Sequence, residues 1–341
     1  MSGAPLVAGL LGLAAFAAWV VPAVVVRWAL PGLERRARVR NHRGREVPLG
    51  LGAAWLLAAL ALAETEAVGS LLTWAGLRRA GSHLSAFGGF SSAIVPLGLV
   101  AGAFAFGLLD DAFGDSRSKG LRGHLRELGR GRVTTGTLKL VGLASLSAIY
   151  AVRAVGSRAA GDAAPPSAGR LVAWLTAAAV IALSANLVNL LDLRPARALK
   201  GYLLVGLPAA GLAGALVSGG RSLPAGGLGR GAVAAVLLAG PALAVWRYDA
   251  GERGMLGDAG ANAAGALAGY AAALGLPMPW LAVWAAVLLG LNLLSERVSF
   301  SALIERNRLL RALDGLGRPG IAGPGAAPSG TRPDRPPDAG A

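Results

Sequence analysis

The chain has 341 residues, of which 54% are hydrophobic and only 15% are charged, and its mean hydropathy is +0.56. Soluble domains carry about 25% charged residues, so this composition excludes an ordinary soluble protein and predicts a polytopic membrane protein. The net charge of +15 does not indicate nucleic acid, because the basic residues stand in short segments between apolar runs, where membrane orientation and anionic lipid account for them. We therefore expect a membrane partner and no nucleic acid. The lack of cysteine excludes disulfides and thiolate chemistry.

Apolar runs long enough to cross about 30 Å of hydrocarbon recur along the chain. They predict an all-α bundle of nine or ten transmembrane helices, the tenth being a half-span at 67–77. The nine candidate spans lie near 6–30, 50–63, 91–109, 135–152, 171–191, 201–217, 231–246, 261–276 and 280–294. The first run has no basic segment ahead of it and exceeds a signal-peptide core in length, so we expect it to be retained as a span.

The distribution of Lys and Arg between alternate loops predicts the orientation. Loops on one side hold 24 of these residues and loops on the other side hold seven, which places the N-terminus outside and the C-terminus in the cytoplasm. The two remaining basic residues, Arg27 and Lys139, lie near span ends, where their long side chains can reach the interface. On this assignment the acidic loops at Asp110, Asp192 and Asp258 all fall on the cytoplasmic side.

Two adjacent carboxylates, Asp110 and Asp111, end the third apolar run and precede a loop rich in Arg and Lys. Mg²⁺ binds proteins through one or two carboxylates plus substrate phosphates, and basic side chains complement the remaining phosphate charge. Within the loop, Lys119 is placed to reach a diphosphate and His124 to contact the substrate as an acid–base group. The alternatives are a hairpin between two spans, with Lys119 as a topology anchor and His124 as a solvated side chain.

A second polar group lies at the end of the fifth run. Asn186, Asn189 and Asp192 recur every three residues and therefore share one helix face. Amides and an acid in apolar surroundings are costly unless they face a cavity or the bundle interior, so this face is a candidate functional site. The alternative is interhelical hydrogen bonding by the asparagines.

A third acidic loop contains Asp258 between Gly257 and Gly260, just before the next apolar run. Glycines allow the backbone to bend closely around an ion or phosphate, and the following helix directs its N-terminus toward the anion. The alternative is a glycine-rich turn in which Asp258 serves only as a helix N-cap.

The three motifs together resemble those of the polyprenyl-phosphate N-acetylhexosamine-1-phosphate transferase superfamily (glycosyl transferase family 4), which includes the MraY and WecA-type enzymes. The resemblance covers about residues 40 to 295. It rests on DD-x-x-G from Asp110 with KGLRGH after it, N-x-x-N-x-x-D from Asn186, and M-L-G-D-x-G from Met255, in this order and on one predicted membrane face.

The resemblance implies transfer of a sugar phosphate from a UDP-amino sugar to a polyprenyl phosphate at the cytoplasmic face of a bacterial plasma membrane, with release of UMP. It implies Mg²⁺ as the cofactor, with Mn²⁺ as a substitute, and it is compatible with a homodimer. Asp258 matches the family's metal ligand, and Asp110 and Asp111 match catalytic acids that are implicated in handling metal or substrate and in deprotonating the lipid phosphate. Asn189 and Asp192 match a motif beside the nucleotide, in which Asp192 takes a catalytic position.

The chain departs from this family at two places. The acid that follows N-x-x-D in most members is absent after Asp192, and the last predicted cytoplasmic loop lacks a histidine cluster, since the only histidines are His42, His83 and His124. These departures leave open an inactive family member with a scaffolding role in envelope assembly. A transporter whose carboxylates line an ion path is the other alternative, although such acids are expected near the bilayer midplane rather than at span ends.

Three regions are predicted along the chain. Residues 1–294 form the transmembrane catalytic domain. Residues 295–316 place leucines among Arg and Glu and suit an amphipathic cytoplasmic segment at the interface. Residues 317–341, rich in Pro, Gly and Ala, are predicted to be a disordered tail.

Overall fold

The computed structural model describes residues 4–114, 123, 127, 129–131, 133–159, 167–216 and 227–318. These residues are almost entirely helical, apart from one antiparallel hairpin of β1 (Arg38–Arg40) and β2 (Glu46–Pro48). The helices are α1 (Ala4–Ala15), α2 (Val21–Arg36), α3 (Ala53–Trp74), α4 (Arg78–Ile94), α5 (Leu97–Phe113), α6 (Thr135–Ala159), α7 (Ser167–Leu191), α8 (Arg197–Leu216), α9 (Gly227–Ala250), α10 (Gly257–Gly275), α11 (Met278–Ser295), α12 (Phe300–Arg306) and α13 (Arg308–Gly315), with a π-helical turn, Phe16–Val20, between α1 and α2.

Seven helical stretches of the described chain are long and apolar enough to cross a membrane. An eighth results if α4 and α5, which are bent by 43° at Val95 and Pro96, form one broken span. Large apolar side chains point outward, as at Leu204 and Leu228, which are 80% and 94% exposed. Such side chains are stable only against lipid or another apolar surface. The prediction of an all-α polytopic membrane protein is confirmed.

The predicted span at 261–276 belongs to α10, which lies at the centre of the bundle. Every residue from Ala259 to Gly275 is buried, and α10 contacts α5, α7 and α8 most extensively. It is not among the seven apolar stretches, because Asp258, Asn262 and five glycines lower its hydropathy. A helix surrounded by protein does not need a lipid-compatible surface. It needs small residues that let the backbones of its neighbours approach closely.

Three close approaches bring neighbouring helices against α10. A Cβ added at Gly107 of α5 would lie 2.3 Å from the Asp258 carbonyl oxygen. A Cβ at Gly52, at the start of α3, would lie 2.2 Å from the Cα of Gly260. On the α7 side, a Cβ at Gly265 would lie 2.4 Å from the carbonyl oxygen of Ser184. Glycine at these positions therefore sets the distances between the helices that carry the predicted site residues.

Two sequence predictions about the second span are wrong. Residues 67–77 do not form a separate half-span, because α3 continues without interruption from Ala53 to Trp74. The stretch between the spans predicted at 50–63 and 91–109 is not a loop either, because α4 begins at Arg78 and packs along α3 as a helical hairpin. Glu64, Glu66 and the small polar residues of α4 interrupt the apolar runs in this part of the sequence. A search for long apolar runs therefore misses these two helices, which are stabilised by packing against protein.

Candidate functional site

An ion-pair cluster joins three helix ends. Asp110 lies in the last turn of α5, Lys139 in the second turn of α6 and Asp258 in the first turn of α10. The Lys139 Nζ donates to the Asp110 Oδ2 at 2.5 Å and also to the Asp258 Oδ2. These side chains are only 15%, 17% and 31% exposed. Two carboxylates thus converge on a single cationic atom in a partly buried position.

Asp111 and Asp192 hold the backbone at the start of α10. The Asp111 carboxylate accepts the N–H of Asp258 at 3.0 Å and the N–H of Ala259 at 2.9 Å. The Asp192 Oδ2 accepts the N–H of Gly257 at 3.1 Å. The first N–H groups of a helix lack intrahelical partners and carry partial positive charge, so carboxylates are the natural groups to satisfy them.

Glycine at position 257 is required by this turn. Its φ of +72° lies in the left-handed region, and a Cβ there would lie 2.8 Å from the Asp111 Oδ2. The glycine before Asp258 therefore lets Asp111 approach the helix N-terminus, as the glycine-flanked motif predicts. Burial and the nearby Asp249 carboxyl raise the pKa of Asp192 well above its usual value.

The asparagines of the second motif behave differently from one another. The Asn186 Nδ2 donates to the Asn292 Oδ1 of α11 at 2.5 Å, and the Asn292 amide donates to the carbonyls of Leu183 and Leu288. Asn186 therefore takes part in an interhelical hydrogen bond, the alternative interpretation of this position. Asn189 is partly buried one turn before Asp192, and its carbonyl accepts the Asp192 N–H at 3.1 Å. Of the two, Asn189 lies nearer Asp192 along the chain.

A small cleft adjoins Asp192. It lies between the β1–β2 hairpin and the loop that precedes α8 and is open to solvent. Asp249 shapes this loop by accepting the N–H of Ala196, which has a φ of 59°. On the opposite wall, Asn41 donates to the Glu252 carboxylate at 3.1 Å. Partial burial and the charge of Arg194 lower the pKa of His42 in this cleft.

Lys119 and His124 lie outside the described residues. The basic group of the cluster is instead Lys139, for which the sequence predicts a position at the membrane interface. One sequence signal could have identified it: the chain contains 30 arginines but only three lysines, at 119, 139 and 200. A lysine retained against this bias at the end of a span indicates a position where a compact ammonium on a flexible stem is needed.

The four aspartates predicted to form the site, Asp110, Asp111, Asp192 and Asp258, divide into two pairs. Among the residues that the structure describes, no group of three or more His, Cys, Asp or Glu side chains could hold a metal ion. Asp111 and Asp192 are engaged with backbone N–H groups, whereas Asp110 and Asp258 share one cation, the Lys139 ammonium. Two carboxylates aimed at a common positive charge suit Mg²⁺, which needs only one or two protein carboxylates when phosphates supply further oxygens.

Comparison with known proteins identifies no relative: no family model, curated protein or solved structure matches the chain.

Proposed function

We propose that this protein is a Mg²⁺-dependent glycosyl-1-phosphate transferase that moves a sugar phosphate, N-acetylhexosamine-1-phosphate, from a UDP-sugar to a polyprenyl phosphate and releases UMP. The observation that carries the proposal is the convergence of the three acidic motifs. Asp110, Asp192 and Asp258 are far apart in the sequence, yet each contacts Lys139 or the first residues of α10. The proposal places this site at the cytoplasmic face of a bacterial plasma membrane.

The reaction needs charge compensation more than a strong base. An oxygen of the lipid phosphate forms a bond to the phosphorus attached to the sugar, the diphosphate P–O bond breaks, and UMP departs with the electron pair. Mg²⁺ held by Asp110 and Asp258 would neutralise phosphate charge and align the oxygens. Asp111 and Asp192 hold the Gly257–Ala259 backbone, and hence the Asp258 carboxylate, in position.

The location of the charges favours this function over transport. Asp110 lies in the last turn of one helix and Asp258 in the first turn of another, so the charged cluster is at helix ends. A transporter is expected to bind its ion near the bilayer midplane, where interrupted helices expose their backbone. The break between α4 and α5, at Val95 and Pro96, lies about four helical turns before Asp110 and contributes no charged side chain.

The first experiment is UMP release by the purified protein in detergent with undecaprenyl phosphate, Mg²⁺ and a panel of UDP-amino sugars. Asp258→Asn should lower the rate at least about 100-fold, because a metal ion contributes several kcal/mol to such transition states. The control is Glu64→Gln, which also removes one carboxylate. Glu64 is exposed in α3, roughly 18 Å along the helix from Gly52, where α3 meets α10. Release that requires lipid and metal, and is lost only in Asp258→Asn, supports the transferase.

Lack of UMP release with every donor, from folded protein and with active control enzymes, would refute the transferase. The inactive scaffolding member would then be the better explanation. Lipid-independent ion flux through the protein in vesicles would instead support the transporter.

A further inference from the structure

The Lys139 ammonium occupies the point on which the two best candidate metal ligands converge. It contacts both the Asp110 and the Asp258 carboxylates, which belong to different helices. Its own side chain is 15% exposed, so the cluster is shielded from water without being sealed. A divalent cation that binds both carboxylates must therefore take the place of this ammonium.

Charge and ligand chemistry both favour an exchange. One ammonium neutralises half of the charge of two carboxylates, whereas one divalent cation neutralises all of it. The low effective dielectric of a partly buried site increases the energetic effect of this difference. Lys139 can leave without any movement of the backbone, because its charge stands on a flexible four-carbon stem.

We propose that Lys139 is an exchangeable counter-ion: it holds Asp110 and Asp258 together when no metal is bound, and a divalent cation displaces it. The exchange gives the site two states with the same carboxylate geometry. Without a counter-ion the two carboxylates would repel each other and separate the ends of α5 and α10. The released ammonium stays within reach of the site and is available to phosphate oxygens of a substrate. The inference rests on the metal site of the proposed function, but not on which group is transferred.

Amine labelling tests the exchange directly, because the chain contains only three lysines. The protein is treated with an amine-reactive reagent, with and without Mg²⁺ or Mn²⁺, and the modified peptides are quantified by mass spectrometry. We expect the divalent cation to increase the labelling rate of Lys139 several-fold. Lys200 is the internal control, since its ammonium donates to the Leu313 and Asp314 carbonyls and its rate should not change. An unchanged Lys139 rate at saturating metal overturns the proposal.

Thermal unfolding of Lys139→Gln gives an independent readout. Without metal, this variant should unfold at a lower temperature than the wild type, because its two carboxylates lack a counter-ion. Mg²⁺ should raise its unfolding temperature more than that of the wild type. If the ion-paired state holds more than about nine-tenths of the wild-type molecules, its removal should also raise the apparent Mg²⁺ affinity about tenfold or more.

Two control variants complete the test. Lys200→Gln should respond to Mg²⁺ as the wild type does, and Asp258→Asn should lose the response. A smaller metal response in Lys139→Gln than in the wild type, or no metal response in either protein, overturns the exchange. Metal-dependent labelling without UMP release would refute the transferase and leave the exchange intact, so the two failures are distinguishable.

Discussion

Gly107 is the position where a single methyl group should disturb the site most directly. It lies in α5, one turn before Asp110 and Asp111, against the first turn of α10. In Gly107→Ala the new Cβ would lie 2.3 Å from the Asp258 carbonyl oxygen and 2.5 Å from the Ala259 Cα. Favourable contacts between carbon atoms require about 3.5 to 4.0 Å. Since both obstacles are backbone atoms, the two helices must separate by about 1 Å.

The magnitude follows from two opposing effects. Overpacking costs about 1 to 3 kcal/mol, and a clash between backbones that cannot rotate away belongs at about 3 kcal/mol. Alanine is better than glycine in a helix by about 1 kcal/mol, which leaves a net loss of about 2 kcal/mol. In a chain of this length the loss lowers the unfolding temperature by roughly 3 °C. A 1 Å displacement of the carboxylates should also reduce turnover by about 100-fold.

The assay compares Gly107→Ala with Gly290→Ala by thermal unfolding in detergent and by UMP release. Gly290 lies within α11, and a Cβ there meets no atom within 4 Å, so this control keeps the helix-propensity gain without the clash. It should unfold at the wild-type temperature or slightly above and retain activity. If Gly107→Ala matches the control in both measurements, the close approach of α5 and α10 is not as described, and neither is the site.

Three further predictions concern contacts around the site. Asp314→Asn should destabilise the C-terminal segment, because the buried Arg197 guanidinium would lose the charge of its two-point partner, and limited proteolysis should show faster cleavage there. Burial raises the pKa of Asp314, but the hydrogen bonds and the charge of Arg197 outweigh burial, so the pKa lies below its usual value. The stabilisation by Asp314 is therefore complete above about pH 4 and is lost as the pH falls further. The free energies of unfolding in urea of the wild type and the variant should become equal in acid. Asn292→Leu should lower the free energy of unfolding by about 0.5 to 1.5 kcal/mol by removing the hydrogen bond from the Asn186 amide, whereas an unchanged unfolding temperature would contradict this interhelical bond. Asp111→Asn should weaken the α10 N-terminus by about 1 kcal/mol, because asparagine has no charge and only one oxygen to accept the two N–H groups. Hydrogen exchange at the first turn of α10 should become faster, and an unaffected exchange rate would contradict this prediction.

The C-terminal segment is held by a contact that no local sequence pattern indicates. Within the stretch predicted to be amphipathic, 295–316, the structure forms α12 and α13, and Leu309 and Leu313 are exposed there. The contact that attaches this segment to α8 was not predictable from the sequence. Arg197 binds Asp314 through two hydrogen bonds across 117 residues. From the sequence alone, Arg197 is one of 30 arginines and has no distinguishing neighbour. Of the predicted tail, residues 319–341 lie outside the described part of the chain.

Composition and hydrophobic runs by themselves determined that this is an all-α membrane protein with acidic groups at the ends of its spans, because those properties depend on residues adjacent in the chain. Only the tertiary structure showed that the aspartates have different partners. Asp110 and Asp258 contact the same cation, whereas Asp111 accepts hydrogen bonds from the backbone of α10. The sequence predicts that Lys139 lies at the membrane interface, but in the structure it lies at the centre of the site. The partners of Lys139 lie 29 and 119 residues away, and no local pattern specifies a contact that depends on how three helices pack.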